Sequence, residues 1–198
     1  NTEFEEKNIY KKNIDYAISC MKLNGFSINN ISTIFVAFDN ETGIDKSFFD
    51  TYIVIPYENK IYDNSLRYYN LFKKSTAGII YSKKNNSDFI FRVRIDLRVN
   101  KFNLLNIDNN ISYGMLMPFW NNQNAILDNI MFGDIKIMEN IWKTPERPIS
   151  ADYVNYNDVI SGKFLQPQYE VDKRCKLYSK IQACETDIFT IQSDIKKN

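Results

Sequence analysis

The stretch Phe91-Arg92-Val93-Arg94-Ile95-Asp96 concentrates two cations and a carboxylate within five positions. Written as a strand, it sets Arg92, Arg94 and Asp96 on one face and Phe91, Val93 and Ile95 on the other, because strand side chains alternate with period two. Two guanidinium groups beside a carboxylate suit a diphosphate, with the carboxylate left for a divalent metal or a sugar hydroxyl. The plainer reading of the same string is a solvated, salt-bridged edge strand. A second string, Asp128-Asn129-Ile130-Met131-Phe132-Gly133-Asp134 with Trp142 downstream, sets a carboxylate before an apolar turn. Gly133 would allow close backbone approach there, and Asp128 would serve as a general base. Its plainer reading is a core turn followed by a helix capped by Asp134. A third string, Asn64-Ser65-Leu66-Arg67, opens a helix and could offer an amide and a guanidinium to a ligand. Finally, Asp50 with Glu58-Asn59-Lys60 has the spacing of a class of metal-dependent nucleases, in which such residues hold Mg²⁺ and activate water. Pro56 interrupts the strand that would carry it, and the near-neutral charge argues against a nucleic-acid partner.

Composition narrows the chemistry. The 198 residues contain no histidine, which removes Ser-His-Asp and Cys-His catalysis, histidine-ligated zinc or haem, and imidazole acid/base steps. Carboxylates, Lys, Arg, Tyr or an oxygen-ligated metal remain. Lys+Arg 25 against Asp+Glu 24 gives a net charge of +1, without the basic footprint of a general nucleic-acid binder. Cys20, Cys175 and Cys184 are too few and too widely spaced for a disulfide framework, which points to a reducing cytoplasm and leaves a Cys175–Cys184 bridge open. No apolar run approaches the roughly 20 residues of a membrane span, and no signal-peptide pattern opens the sequence. The first residue, Asn1 rather than Met, suggests an excised fragment.

These residues need elements to hold them. Ile9, Ile14, Ala17, Ile18 and Met21 recur at helical spacing from Lys7 to Leu23, and Asn24-Gly25 supplies a stop. Ile31–Phe38 reads as a buried strand closing on the turn at Asp39–Gly43, Thr51–Ile55 as a second strand ended by Pro56, and Asn64–Tyr81 as a helix. Phe89–Ile95 is the third strand. This order predicts an α/β fold with a mostly parallel sheet flanked by helices, in which ligands sit beyond the carboxyl ends of the strands. Asp39 and Asp96 fall at such ends. Farther on come a turn region at Asn103–Asn110, an aromatic stretch at Tyr113–Trp120 and a short helix at Ile135–Trp142. Ser150–Asn198 reads as loop plus one or two helices, Tyr178–Ile195 being the more periodic. Residues 1–149 would form the core, with 150–198 packed against it.

Taken in order, Asn64-Ser-Leu-Arg67, Ser75-Thr76-Ala77-Gly78-Ile79, Phe91–Asp96, Asp128–Gly133 and Trp142 resemble the WavE-like group of lipopolysaccharide and capsule synthesis proteins, which look like glycosyltransferases of the GT-A type. The resemblance covers Asn64–Trp142, with Arg92 where the usual pattern has Lys. It implies a GT-A-like core and transfer of a sugar from a nucleotide-sugar donor to a glycan or lipid-linked glycan acceptor, with peripheral membrane association among its partners. By position, Asp128 would be the base of an inverting transfer. Asp96 would be the final aspartate of the metal-binding Asp-x-Asp, and the donor would meet Asp39, Asn64, Arg67, Arg92, Arg94 and Gly133. A divalent cation, Mg²⁺ or Mn²⁺, comes with that pattern, although Arg94 replaces its first aspartate. The family's first strand should precede the helix at Lys7–Leu23 and is missing. The other readings are the nuclease and a non-catalytic carbohydrate-binding domain whose 13 Tyr and 14 Phe supply stacking surface.

Overall fold

The computed structural model describes residues 2–57, 64–118, 124–144 and 167–190. Helix α1 (Thr2–Leu23) ends where the sequence signals it: Gly25 takes φ +92°, and the N–H of Phe26 bonds back to the carbonyl of Met21 at 3.1 Å. Asn24 then fastens this end to the body of the protein, donating to the Phe102 carbonyl and accepting from the Leu104 N–H, each at 2.7 Å. Strand β1 (Ile34–Phe38) pairs in parallel with β2 (Thr51–Ile55). Helix α2 (Asn64–Lys84) returns to β3 (Phe89–Val93).

Three contacts fix the direction of α2. Tyr81, near its end, meets Thr51 at the start of β2; Gly78 lies under Val36 in the middle of β1; Lys74 pairs with Glu41, just past the end of β1. Ser75 likewise meets Arg92 near the end of β3. Helix α2 therefore runs opposite to all three strands, so β1, β2 and β3 point the same way and their carboxyl ends share one side of the molecule.

The remaining strands are β4 (Leu97–Phe102), β5 (Ile111–Pro118), β6 (Asn124–Asp134), β7 (Lys180–Ala183) and β8 (Thr186–Thr190). Helix α3 (Ile135–Trp142) follows β6, and α4 (Pro167–Tyr178) precedes β7. A four-stranded sheet has the order β3-β6-β5-β7, and β4 pairs with β8. The mixed α/β class agrees with the sequence. The described sheets, however, are small and mixed: β1·β2 and β5·β7 are parallel, while β3·β6, β5·β6 and β4·β8 are antiparallel. The departure comes from β6. Residues 124–134 form one long strand rather than a turn, because both of its faces are apolar and both find a core. Ile130 and Phe132 join Cys20, Met21, Val99, Phe102 and Tyr113 on the α1 side; Ile126 and Met131 join Phe72, Met138, Ile141, Trp142 and Val171 on the side of α2, α3 and α4.

Asp134 does cap α3, accepting from the Lys136 N–H at 2.8 Å. The helix expected over Tyr178–Ile195 is absent among the described residues: α4 ends at Tyr178, and Ile181 and Ile188 belong to strands whose backbone groups complete the edges of β5 and β4. All three cysteines are buried free thiols, and burial pushes Cys175 and Cys184 up to about 12.

Gly114, on β5, faces the side chain of Ile126 so closely that a Cβ there would overlap it. Gly114→Ala should therefore destabilise the protein by about 1–3 kcal/mol through overpacking, read as a lower melting temperature in calorimetry.

Candidate functional site

A cavity of about 1850 Å³ opens between β1 and β3, with α2 on one wall and α1 on the other. Glu41, Lys74, Arg92, Arg94, Asp96 and Asp128 gather at the carboxyl ends of the strands and line it there. Asp96 and Asp128 thus face the same cavity.

Arg92 is held on three sides. Its Nε donates to Ser75 Oγ at 2.9 Å, its Nη1 donates to the Asp128 carbonyl, and its guanidinium lies 3.7 Å from the centroid of the Trp142 ring. Burial lowers its pKa to about 10, against the opposing pull of the Asp128 carboxylate, so it stays charged at neutral pH. Arg94 forms a fork on Asp96, Nε to Oδ1 at 3.0 Å and Nη2 to Oδ2, and its Nη1 reaches Asn129 Oδ1 at 3.1 Å. Lys74 donates to both oxygens of Glu41 and sits 4.7 Å from the Phe38 ring centroid, while Glu41 also accepts the Phe38 N–H at 2.8 Å. Every cation on this rim already has an internal partner. A bound anion would have to share or displace one.

Asn70 belongs to this group and was not singled out from the sequence. It is 7% exposed, lines the cavity, and its Oδ1 has no hydrogen-bond partner among the described residues. Its signal was the spacing: Asn70, Lys74 and Gly78 recur every fourth residue and share one helix face, which polar residues occupy only where that face meets something other than plain core.

Other expected donor residues lie elsewhere. Asp39 is exposed and is not among the cavity-lining residues; its Oδ1 accepts the Tyr57 N–H at 3.0 Å, tying together the ends of β1 and β2. Gly133 sits within β6 opposite Ile90 and against the side chain of Met138, with no turn for a ligand to approach. Asn64 and Arg67 open α2, but their side chains lie outside the described residues. Asp50 is at the opposite, amino end of the strands, where it accepts from the Thr33 N–H at 2.7 Å and Thr33 Oγ1 at 2.8 Å; Glu58 and Lys60 lie outside the described residues.

Both oxygens of Asp96 accept from Arg94, and no group of three or more acidic or cysteine side chains converges among the described residues. That donor set does not fit a resident divalent cation. Compared with known proteins, the chain matches no family model and no curated sequence. No helix among the described residues is long and apolar enough to cross a membrane.

The bonds from Thr33 hold the Asp50 carboxyl below its usual pKa range. A depressed folded pKa stabilises the protein above the unfolded value of about 3.9, and that contribution is lost as pH falls through the lower folded value. Asp50→Asn should therefore lower stability at pH 7 by about 1 kcal/mol or less, given its exposure, with the deficit fading in calorimetric scans as pH falls through the folded-state value.

Proposed function

We propose that the protein is a glycosyltransferase that moves a sugar from a nucleotide-sugar donor to a glycan or lipid-linked glycan acceptor with inversion. The observation that supports this best is the meeting of Asp96 and Asp128 in one cavity at the carboxyl ends of three co-directional strands, the position where sheets of this kind take ligands. In the proposed reaction the acceptor oxygen attacks the anomeric carbon as the bond to the donor's phosphate oxygen breaks. Asp128 takes the acceptor proton, and the departing diphosphate carries away the electron pair. With no histidine in the chain, a carboxylate is the natural base.

Charge on the leaving group falls to Arg94 and Lys74, each exchanging part of its present carboxylate contact for phosphate oxygens. Arg92 has a positioning part, because its contacts with Ser75, Trp142 and the Asp128 carbonyl set where that residue stands. Asn70 Oδ1, an acceptor, suits a sugar hydroxyl rather than a phosphate.

The test begins with nucleoside diphosphates. Binding to the folded state alone raises stability by about 2.7 kcal/mol at one hundred times the dissociation constant, so UDP, GDP or TDP should raise the melting temperature. Asp128→Asn should lower turnover by about 10²–10⁴-fold while leaving donor affinity nearly unchanged. Asp96→Asn, which also releases Arg94, should alter donor affinity as well as rate. Parental turnover in a folded, donor-bound Asp128→Asn protein would remove the base. No shift with any nucleotide, alongside binding of free oligosaccharide, would turn the reading toward a carbohydrate-binding domain.

A further inference from the structure

Helix α4 carries a polar face that the proposed reaction leaves unused. Glu170 and Asp172 are buried, and the Arg174 side chain is only 15% exposed. Arg174 Nε donates to Glu170 Oε1 at 2.6 Å, one helical turn away. Asp172 Oδ1 accepts the Ile126 N–H at 3.3 Å, and its Oδ2 accepts from Lys176 at 2.6 Å. Stability alone is a poor reason for such a face. The attraction within a buried ion pair roughly offsets the desolvation of its two charges, and here Glu170 Oε2 has no hydrogen-bond partner among the described residues.

The remaining contacts of the guanidinium show what Arg174 holds. Its Nη1 donates to the carbonyls of Ile141, at 3.0 Å, and of Lys143, which belong to the end of α3 that no intrahelical N–H can reach. Those two residues flank Trp142. The same guanidinium lies 5.0 Å from the ring centroid of Phe72, whose ring is 5.5 Å from that of Trp142. Trp142 is therefore gripped through the backbone on both sides and through a neighbouring ring. The indole depends on that grip: it is fully buried and its Nε1 has no partner among the described residues, so no hydrogen bond of its own fixes the ring. Against this ring rests Arg92, 3.7 Å from the centroid, with Nε on Ser75 and Nη1 on the Asp128 carbonyl.

We infer that Arg174 is a positioning residue for Asp128: it sets the Trp142 ring, the ring sets the Arg92 guanidinium, and the guanidinium sets where Asp128 stands in the cavity. Asp172, on the same helix, adds a second hold by bonding Ile126, two residues before Asp128 on β6. The effect on rate rests on the glycosyltransferase reading; the effect on placement does not. A base displaced by about 1 Å from the proton it takes loses about 10²-fold in rate. Ground-state binding should change little, because Arg174 is not among the residues that line the cavity.

The experiment compares Glu170→Gln with Glu170→Gln/Arg174→Met, so that no lone buried carboxylate is left when the guanidinium goes. Asp50→Asn, at the opposite end of the strands, controls for lost stability alone. The first reading is the Nε–H signal of Arg92 in heteronuclear NMR, which the ring current of Trp142 displaces in the parent. In the double variant that displacement should fall by at least half and the Nε–H should exchange with solvent about tenfold faster, while the Arg94 signal stays in place. The second reading is transfer kinetics with whichever of the UDP-, GDP- or TDP-sugars the parent turns over. There kcat should fall about tenfold or more, with KM for the donor within about threefold of the parent. An unmoved Arg92 signal in the folded double variant would overturn the inference whatever the rates, as would a displaced signal with parental kcat. If the parent transfers no sugar, the transferase reading falls by itself, and the Arg92 signal still decides whether Arg174 sets the placement. Should the double variant not fold, Arg174→Lys decides: it keeps the charge beside Glu170 and gives up the planar fork, so the Arg92 signal should move the same way by less. A parental position in that variant would overturn the inference.

Discussion

The guanidinium of Arg92 is the constraint on which the site's geometry depends. It lies where β3, α2, β6 and α3 come together and touches a residue of each neighbouring element: Ser75, the Asp128 carbonyl and the face of Trp142. A cation in a crowded interior is tolerable only when its donors find acceptors, and an indole face with two oxygens supplies that environment. The Trp142 carbonyl in turn accepts from Thr76 Oγ1 at 2.7 Å, which ties α2 to the end of α3. Displacing the guanidinium would leave a half-buried charge without its acceptors and loosen the meeting point of sheet and helices.

The rim of the cavity follows from that arrangement. With Arg92 occupied by the framework, Arg94 and Lys74 are the other cations on the rim, and each rests on a carboxylate of its own. Such pairs keep a charged cavity neutral when empty and allow an anion to enter by exchange of partners. Specificity for phosphate over carboxylate would come from the number of oxygens the two cations can reach together. The same economy explains why a resident metal does not suit the site, since Arg94 stands against the carboxylate that a cation would need.

The strands legible in the sequence are those whose apolar runs stand apart from their neighbours. Thr51–Ile55 agrees in full, and Ile34–Phe38 and Phe89–Val93 fall within the expected spans. The long strand over Asn124–Asp134 was not legible, because Asp128, Asn129 and Gly133 read as turn chemistry. The pairing of β6 with neighbours on both sides overrode those preferences. The helix expected from Tyr178 onward departs for the same reason: the apolar spacing fits a helix, yet the backbone of Lys180–Ala183 and Thr186–Thr190 completes the edges of β5 and β4.

Local physics was enough to define the helix stop at Asn24-Gly25, the cap at Asp134, the apolar strands and the exclusion of imidazole chemistry, since each rests on a few adjacent residues or on composition. Which charge meets which was decided by tertiary structure. Asp96 and Asp128 share a cavity while Asp39 and Gly133 do not, and Arg92 belongs to the framework while Arg94 faces the rim. The partners involved, Lys74 with Glu41 and Arg94 with Asn129, lie more than 30 residues apart, and the antiparallel run of α2 over β1 and the pairing of β3 with β6 bring them together. No local pattern encodes a contact across that separation; it is set by how two faces of one sheet each find enough apolar surface to bury.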